Sequence, residues 1–397
     1  MNLPDETAHS ELSDKTRTPS VRLGIAGLGL AGAFMIRAAR VHPRFTLAAG
    51  MDPLPRPRAA FAEAFHTPVY EDFSELCSDE TVEAIYIASP HRFHARQTIE
   101  ALERGKHVLV EKPLALTVED CDAVVRVAEK TGRKVIVGHS HAYDPNVRAI
   151  QKIIESGELG RVAMILSFNY TDYLYRPHAE DEFRADGGGG VAFNQVTHQI
   201  EVARLIVGAP IRSVKGRLNM LDSARSAEGC CMAFLEFANG ATASLVYSGY
   251  DFFDSDEFHY WVAEGGTAKQ PRQGMTRRAA ASRTSESALV QDLGFGGRDL
   301  PVEQPFLPHF GVSIITCERG DLRLSANGLT LYGSDGVTDI PVARGEGRPG
   351  QGDTLDVLWQ ILREEVPPQF DANWGRATVA ALVALKRSSQ SGREVLL

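Results

Sequence analysis

No stretch of this sequence approaches the roughly 18 consecutive apolar residues of a membrane-spanning helix, so no membrane span is expected. The opening residues 1–20, MNLPDETAHSELSDKTRTPS, lack the basic segment and apolar core of a secretory signal and read as a polar, flexible tail. Cysteine is scarce: there are five, at Cys77, Cys121, Cys230, Cys231 and Cys317. The count is odd, the spacing suits no metal, and adjacent Cys230 and Cys231 do not easily form a structural bridge. Reduced thiols in a cytoplasmic protein are therefore expected. Positive charge is also short, with 42 Lys and Arg against 51 Asp and Glu and a net charge of −9. That balance argues against nucleic acid or an anionic membrane as the main partner. It leaves a small anionic substrate open, because a few local cations can dominate one pocket. No internal repeat is found.

What is present is a long chain of 397 residues, 43% hydrophobic and 23% charged, the proportions of a globular protein too large for one core. From residue 21 short apolar runs alternate with helical patterns. Strands are predicted at 21–26, 45–52, 83–90, 107–111 and 134–140. Helices are predicted at 31–41, 57–65, 94–104 and 118–131. This rhythm implies parallel βαβ units. After about residue 145 it changes. A helix at 145–155 is followed by strands at 161–170, 211–219, 230–237, 241–248, 257–264, 310–318, 321–325 and 328–333, with a helix at 195–207 and closing helices at 353–365 and 374–387. Asn239-Gly240 between two strands signals a hairpin. The division predicted is a tail at 1–20, a doubly wound parallel sheet at 21–145, and an α+β unit with a large, mostly antiparallel sheet at 146–397. Residues 266–309, rich in Gly, Ser and Arg, read as an arm, a lid or a disordered stretch.

Gly27, Gly29 and Gly32 give G-x-G-x-x-G directly after a strand and into a helix. The first permits a tight turn, the second lets a pyrophosphate approach the backbone, and the third lets helix and strand pack closely. The helix start then offers free N–H groups to phosphates. Asp52 ends the next strand, 20 residues after Gly32, where an acid meets ribose hydroxyls and repels a 2′-phosphate. NAD is favoured over NADP. Arg56 and Arg58 close behind either weaken that preference or are solvated helix-start residues.

Lys112, in HVLVEKPLA at 107–115, stands at the carboxyl end of a strand and reads two ways. It is a surface lysine beside a turn proline, or it faces the cofactor crevice, where burial beside a cationic ring depresses its pKa and lets it accept a proton. Asn194 and His198 are four residues apart on one helix. Either Asn194 orients a hydroxyl and His198 is an acid/base, or the pair is a helix cap and a structural histidine. His139, His141, His178, Arg176 and Arg184 cluster between 139 and 184. No carboxylate or thiol set accompanies His139-x-His141, so no metal is expected. The cluster fits an anionic substrate through charge-assisted bonds, or it is a solvated loop at 171–186. Tyr143, Tyr173 and Tyr175 either wall that pocket or pack beneath the sheet.

GIAGLGLAG, ASPHRFHARQTIEALERGKHVLVEKPLALT, SGELGRV and GGGGVAFNQVTHQI together resemble the Gfo/Idh/MocA oxidoreductases, from about residue 21 to 390. The resemblance implies that Lys112 lies between nicotinamide and substrate, that its peptide to Pro113 is often cis, and that Asn194 and His198 line the substrate. It implies a cofactor site of Gly27, Gly29, Leu30, Ala31, Gly32, Asp52, Ser89, Pro90, His94, Glu111 and Lys112. One departure stands out. Many relatives carry an arginine before the aromatic-x-Pro string after the fifth strand, and here GHSHAYDP places Ala142 there with His141 before it. A narrower resemblance, to the phthalate cis-4,5-dihydrodiol dehydrogenases, rests on YLYRPHAEDEF, FNQVTHQIE, SGYDFFDSDEFHYWVAEGG and SIITCERGDLR. It implies oxidation of a cis-dihydroxy-cyclohexadiene dicarboxylate to 4,5-dihydroxyphthalate. Lys112 or His198 would take the hydroxyl proton. Arg176 first, then His141 and Arg184, would meet the carboxylates, with Tyr143 beside them. The alternatives are a sugar, inositol or polyol dehydrogenase and a non-catalytic NAD-binding regulator. Relatives are commonly dimers or tetramers, and the C-terminal sheet is the expected contact.

Overall fold

Runs such as residues 23–26 and Ala84–Ile87 are apolar without alternation, which suits strands covered on both faces. The computed structural model describes residues 20–138, 140–178, 182, 184, 188–283, 286–297, 304–344 and 350–397. In its first half, β1 (Val21–Ala26), α1 (Leu30–Val41), β2 (Phe45–Met51), α2 (Pro55–Phe65), β3 (Val69–Tyr70), α3 (Phe73–Ser78), β4 (Ala84–Ile87), α4 (His94–Glu103), β5 (His107–Val110), α5 (Val118–Thr131) and β6 (Val135–Val137) follow in turn. The strands form one parallel sheet in the order β3-β2-β1-β4-β5-β6. The order reverses between β1 and β4, and the crevice beyond their carboxyl ends is where such sheets take ligands.

Next come α6 (Pro145–Glu155), β7 (Val162–Tyr170), α7 (Thr197–Val207), β8 (Ile211–Asn219), β9 (Cys230–Phe237), β10 (Thr242–Ser248), α8 (Met275–Ala280), α9 (Glu286–Leu293), β11 (Val312–Cys317), β12 (Gly320–Ser325), β13 (Gly328–Gly333), β14 (Gly336–Pro341), α10 (Gln351–Arg363), α11 (Ala372–Ser391) and β15 (Val395–Leu396). Nine strands make the second sheet, β14-β13-β12-β11-β7-β10-β9-β8-β15, and only β7 and β10 pair in parallel. Gly240, at a φ of 87°, turns the β9–β10 hairpin. Helix α7 lies between the layers and is buried on all sides, so its polar residues are interior groups.

The chain returns to the first sheet at its end. Helix α11, capped by Asp371 on the Trp374 N–H at 2.8 Å, buries Val379 among first-sheet residues and Leu382 and Leu385 in the core under the second. The Phe370 carbonyl accepts from Val137 N–H at 2.8 Å.

One expected strand is absent. Residues 257–264 do not pair as a strand. Residues Ser255–His259 form a 3₁₀ turn started by Asp254, whose side chain accepts the Asp256 N–H. Tyr260 and Trp261 then sit in left-handed conformations, at φ of 54° and 61°. The aromatic-rich pattern favours a strand, but local Asp capping and that reversal win. All five cysteines are unpaired, four of them buried and Cys230 half-buried. Among the described residues no helix is long and apolar enough to cross a membrane.

Candidate active site

The turn after β1 is built for close approach. A Cβ on Gly32 would collide with the Gly27 carbonyl oxygen, and one on Gly27 would lie 2.6 Å from the Ala88 carbonyl oxygen. Gly29 has nothing within 4 Å of its would-be Cβ and is exposed, which leaves room for a pyrophosphate. Leu30 is also exposed and Ala31 half-buried, at the first turn of α1 where N–H groups are unpaired. Asp52 follows β2 and is 7% exposed. Its oxygens accept the Leu28 N–H at 2.8 Å and the Leu54 N–H at 2.9 Å, which aims the carboxylate at the turn. The residues present fit a dinucleotide. The nearby bases are committed elsewhere: Arg58 to the Asp52 carbonyl at 2.6 Å and Glu71 at 2.9 Å, and Arg56 toward Gly296 O and Asp292.

The crest of β4 and β5 completes this half. Ser89 donates to Gln97 and Pro90 is exposed. His94 lies deeper than its expected cofactor role requires. It is 0% exposed, with ring nitrogens 2.7 Å from Pro113 O and 2.8 Å from Ser89 O, so it ties the two crests together. Tyr86 donates its hydroxyl to Glu111. The Lys112–Pro113 peptide is cis.

Lys112 reaches from this crest into the second layer, where Nζ donates to the Asn194 carbonyl oxygen at 2.8 Å. Burial pushes its pKa below the ordinary lysine value, against the pull of Glu111, Glu182 and Glu201. Asn194 lies in a π-helical turn, Ala192–Val196, just before α7. Its side-chain amide donates to the Gly188 and Gly190 carbonyls at 3.2 and 2.8 Å, so the side chain caps the glycine turn while the backbone meets the lysine. His198 follows on α7, 8% exposed. Its ring stands 5.0 Å from that of His141 and 4.9 Å from Phe310.

Other expected substrate contacts are placed differently. Arg176 is not an unmatched cation: Nε meets Asp172 at 2.7 Å and an amino nitrogen meets Glu264 at 3.3 Å. Tyr143 lies beneath β6, with its hydroxyl donating to Val137 O at 2.8 Å and its ring 4.2 Å from Phe370. It is 2% exposed and does not wall the pocket. Tyr173 and Tyr175 are buried too. Arg184 is exposed, and its carbonyl accepts the Gly189 N–H at 2.8 Å. His178 is buried rather than solvated, and is bonded to Glu182 and Tyr173 O at 2.7 and 2.6 Å. His141 does reach the site, with Nδ1 2.6 Å from Asp144. His139 and most of 179–187 lie outside the described residues, among which no metal-holding cluster occurs.

Sequence reasoning missed several neighbours. Glu201, 2% exposed and one turn beyond His198, is held above the usual carboxylate range by burial, against the opposing pull of Ser140, Arg204 and Lys112. Its three-residue spacing from His198 was visible. The partnership of Glu264 and Phe310 with the site was not, because both arrive from distant segments. Nor was the docking of 294–297 on the glycine turn, where Phe295 N–H donates to Leu28 O at 2.8 Å and its ring packs 5.8 Å from Phe61 and 5.6 Å from Phe65.

A dinucleotide turn at the switch point of a parallel sheet, with a half-buried lysine reaching from that sheet to the turn before α7, defines a two-layer NAD-dependent oxidoreductase. Sequence models of the Gfo/Idh/MocA group match residues 21–139 (oxidoreductase family, NAD-binding Rossmann fold) and 147–265 (C-terminal domain). The chain belongs to the Gfo/Idh/MocA oxidoreductase family. It is 34% identical over 381 residues to the 1-carboxy-3-chloro-3,4-dihydroxycyclohexa-1,5-diene dehydrogenase of Comamonas testosteroni, covering 92% of this chain and 94% of that protein. An inositol 2-dehydrogenase of Saccharopolyspora erythraea is 31% identical over 48% of this chain and 55% of its own length. A solved structure from Bordetella bronchiseptica RB50 superposes with a TM-score of 0.91 at 41% identity, over 95% of this chain and 100% of that one.

Proposed function

We propose that this chain oxidises a carboxylated cis-dihydrodiol to a catechol, with NAD as the hydride acceptor. The observation that carries the reading is the half-buried Lys112 amine just after β5, which donates to Asn194 O at 2.8 Å in the turn that leads into α7. Bound NAD would supply a two-electron acceptor at the face of the substrate, and Gly27, Gly29, Gly32, Leu30, Ala31 and Asp52 would hold it. Lys112, unprotonated, accepts the proton of the reacting hydroxyl as the adjacent carbon loses its hydride. His198 lies on the same side of the site and can orient the second hydroxyl or share that proton. The hydroxy-ketone left behind tautomerises to a catechol, and aromatisation pulls the reaction forward.

The substrate class is supported by the name of the Comamonas relative, which has a ring diol and one carboxyl group. The narrower dicarboxylate reading, phthalate 4,5-cis-dihydrodiol to 4,5-dihydroxyphthalate, needs cations for two carboxylates. Arg176 already faces two acids, so a single carboxylate suits the site better. A sugar or inositol dehydrogenase is the second reading, favoured by the partial match to an inositol 2-dehydrogenase. A substrate panel followed by NADH absorbance tests these readings. It contains phthalate cis-4,5-dihydrodiol, a benzoate-type cis-dihydrodiol, benzene cis-dihydrodiol, myo-inositol and aldoses. Highest kcat/KM on a carboxylated diol is expected. Preference for inositol or an aldose would replace the reading, and NAD binding without any turnover would favour a regulator.

A further inference from the structure

Asp144 stands at the N-cap of α6, where an aspartate ordinarily accepts a first-turn N–H, yet its side chain makes no cap bond. One oxygen instead faces His141 Nδ1 at 2.6 Å, the length of a charge-assisted bond. The other, Oδ1, is buried without a hydrogen-bond partner, in a residue only 1% exposed. A carboxylate that forgoes its cap and leaves an oxygen unsatisfied is an expensive arrangement, of the kind retained where a neighbour must be held. What it holds is the His141 ring, edge-on to His198 at 5.0 Å and against Phe310 at 4.8 Å.

The charged and titratable groups facing His141 come from five segments: Asp144 at the start of α6, His198 on α7, Lys112 after β5, Glu264 before α8 and His309 before β11. Burial alone would strip a proton from the ring. Asp144, and more distantly Glu264, outweigh burial and the nearby lysine, and they hold the pKa of His141 above its ordinary value. Arg176, the first cation expected for substrate, already has Asp172 and Glu264 as partners.

We infer that Asp144 is a positioning residue that fixes His141 as the proton-bearing donor for the substrate's carboxylate. The inference rests on the carboxylated-diol reading and deepens it. A ring held by Asp144 keeps its proton to higher pH than an unassisted one, so carboxylate binding persists with rising pH and weakens only beyond the raised pKa. Asp144→Asn keeps the shape and removes the charge, so the proton leaves at lower pH and binding fails earlier.

The test compares wild type, Asp144→Asn and Asp144→Glu between about pH 6 and 9, with a benzoate-type cis-dihydrodiol and uncharged benzene cis-dihydrodiol as probes. Asp144→Asn is expected to raise KM for the carboxylated diol about tenfold at pH values between the variant's and the wild-type titration, and to move the onset of that rise to lower pH. Its kcat, and its KM for the uncharged diol, stay near wild type, and Asp144→Glu recovers much of the loss. Equal effects on both diols, or an unchanged pH profile, overturn the inference, since a merely structural role acts that way. Should Asp144→Asn not fold, His141→Gln must show the same carboxylate-selective rise. Histidine NMR titration of NAD-loaded protein gives an activity-independent reading. His141 should lose its proton at lower pH in Asp144→Asn than in wild type, and identical titrations refute the proposal. Wild type inactive on both diols sinks the substrate reading, and the NMR result then decides the dyad by itself.

Discussion

At the residue scale the chemistry depends on a lysine whose environment disfavours its charge. Lys112→Met should lower kcat by roughly 10²–10⁴-fold, the usual size of a lost acid/base group, while NAD affinity measured by fluorescence titration changes little. Because burial lowers the lysine pKa, the neutral amine that accepts a proton is present at lower pH than in free lysine. kcat/KM for diol oxidation should therefore rise with pH and level off at a pH below the ordinary lysine value. Arg176 carries a different expectation. Removing it leaves Glu264 without its cation and Asp172 with only the longer contact to Arg272 at 3.4 Å, so Arg176→Ala should lower Tm and move KM for charged and uncharged diols together. A selective loss of the charged diol would restore Arg176 as a carboxylate receptor. The motif residues were legible because they are local. Gly27, Gly29, Gly32, Asp52 and Lys112 each announce themselves by a neighbour in sequence. Arg176 misled because its partner Glu264 is 88 residues away.

At the element scale, residues 266–309 are the part that sequence left undecided among arm, lid and disorder. Within that stretch, residues 294–297 lie on the glycine turn: Phe295 N–H donates to Leu28 O, and Gly294 lies so close that a Cβ there would be 3.1 Å from Leu28 O. The same stretch begins at the substrate side, where Thr276 donates to Asp172 at 2.7 Å. Phe295→Ala removes a ring packed between Phe61 and Phe65. KM for NAD should rise severalfold with kcat at saturation unchanged, and isothermal titration should show the matching loss of affinity. An unchanged NAD affinity would make the contact purely structural. Strands and helices of the first sheet were readable because apolar runs and helical periods follow strict geometry. The short β3 and α3 were missed because two strand residues carry almost no periodic signal. The strand predicted at 257–264 failed because left-handed Tyr260 and Trp261 reverse the chain regardless of β-propensity.

At the scale of the whole molecule, one face of the second sheet carries α7 and α11, and the other exposes an apolar stripe with Phe258 packed on Phe168 at 5.7 Å. Register aligns Phe234, Ser244, Leu166 and Ile314 across β9, β10, β7 and β11, with Met232, Val246 and Phe168 in the next row. Met164, Leu166, Met232 and Phe234 are exposed, and Lys215 and Arg217 border the stripe on β8. A contiguous apolar face with a basic rim fits sheet-on-sheet packing with a second copy. Sedimentation should give a dimer or tetramer, and Phe234→Asp should shift it toward monomer without abolishing NAD binding. A monomeric wild type would refute the expectation.

The sequence by itself determined the parallel first sheet, the dinucleotide turn, the acid after β2 and the lysine after β5, because each is set by steric rules acting over a few residues. The tertiary structure alone decided which ionisable groups are paired. Arg176 lost its apparent availability to Asp172 and Glu264, Tyr143 turned under β6, and Asp144 left its helix cap for His141. Glu264 reaches Arg176 from 88 residues away, whereas Asp172 and Asp144 lie within four residues of their partners, and only the folded loops settle that these neighbours bond to each other, because a buried charge must find a partner where the fold places one.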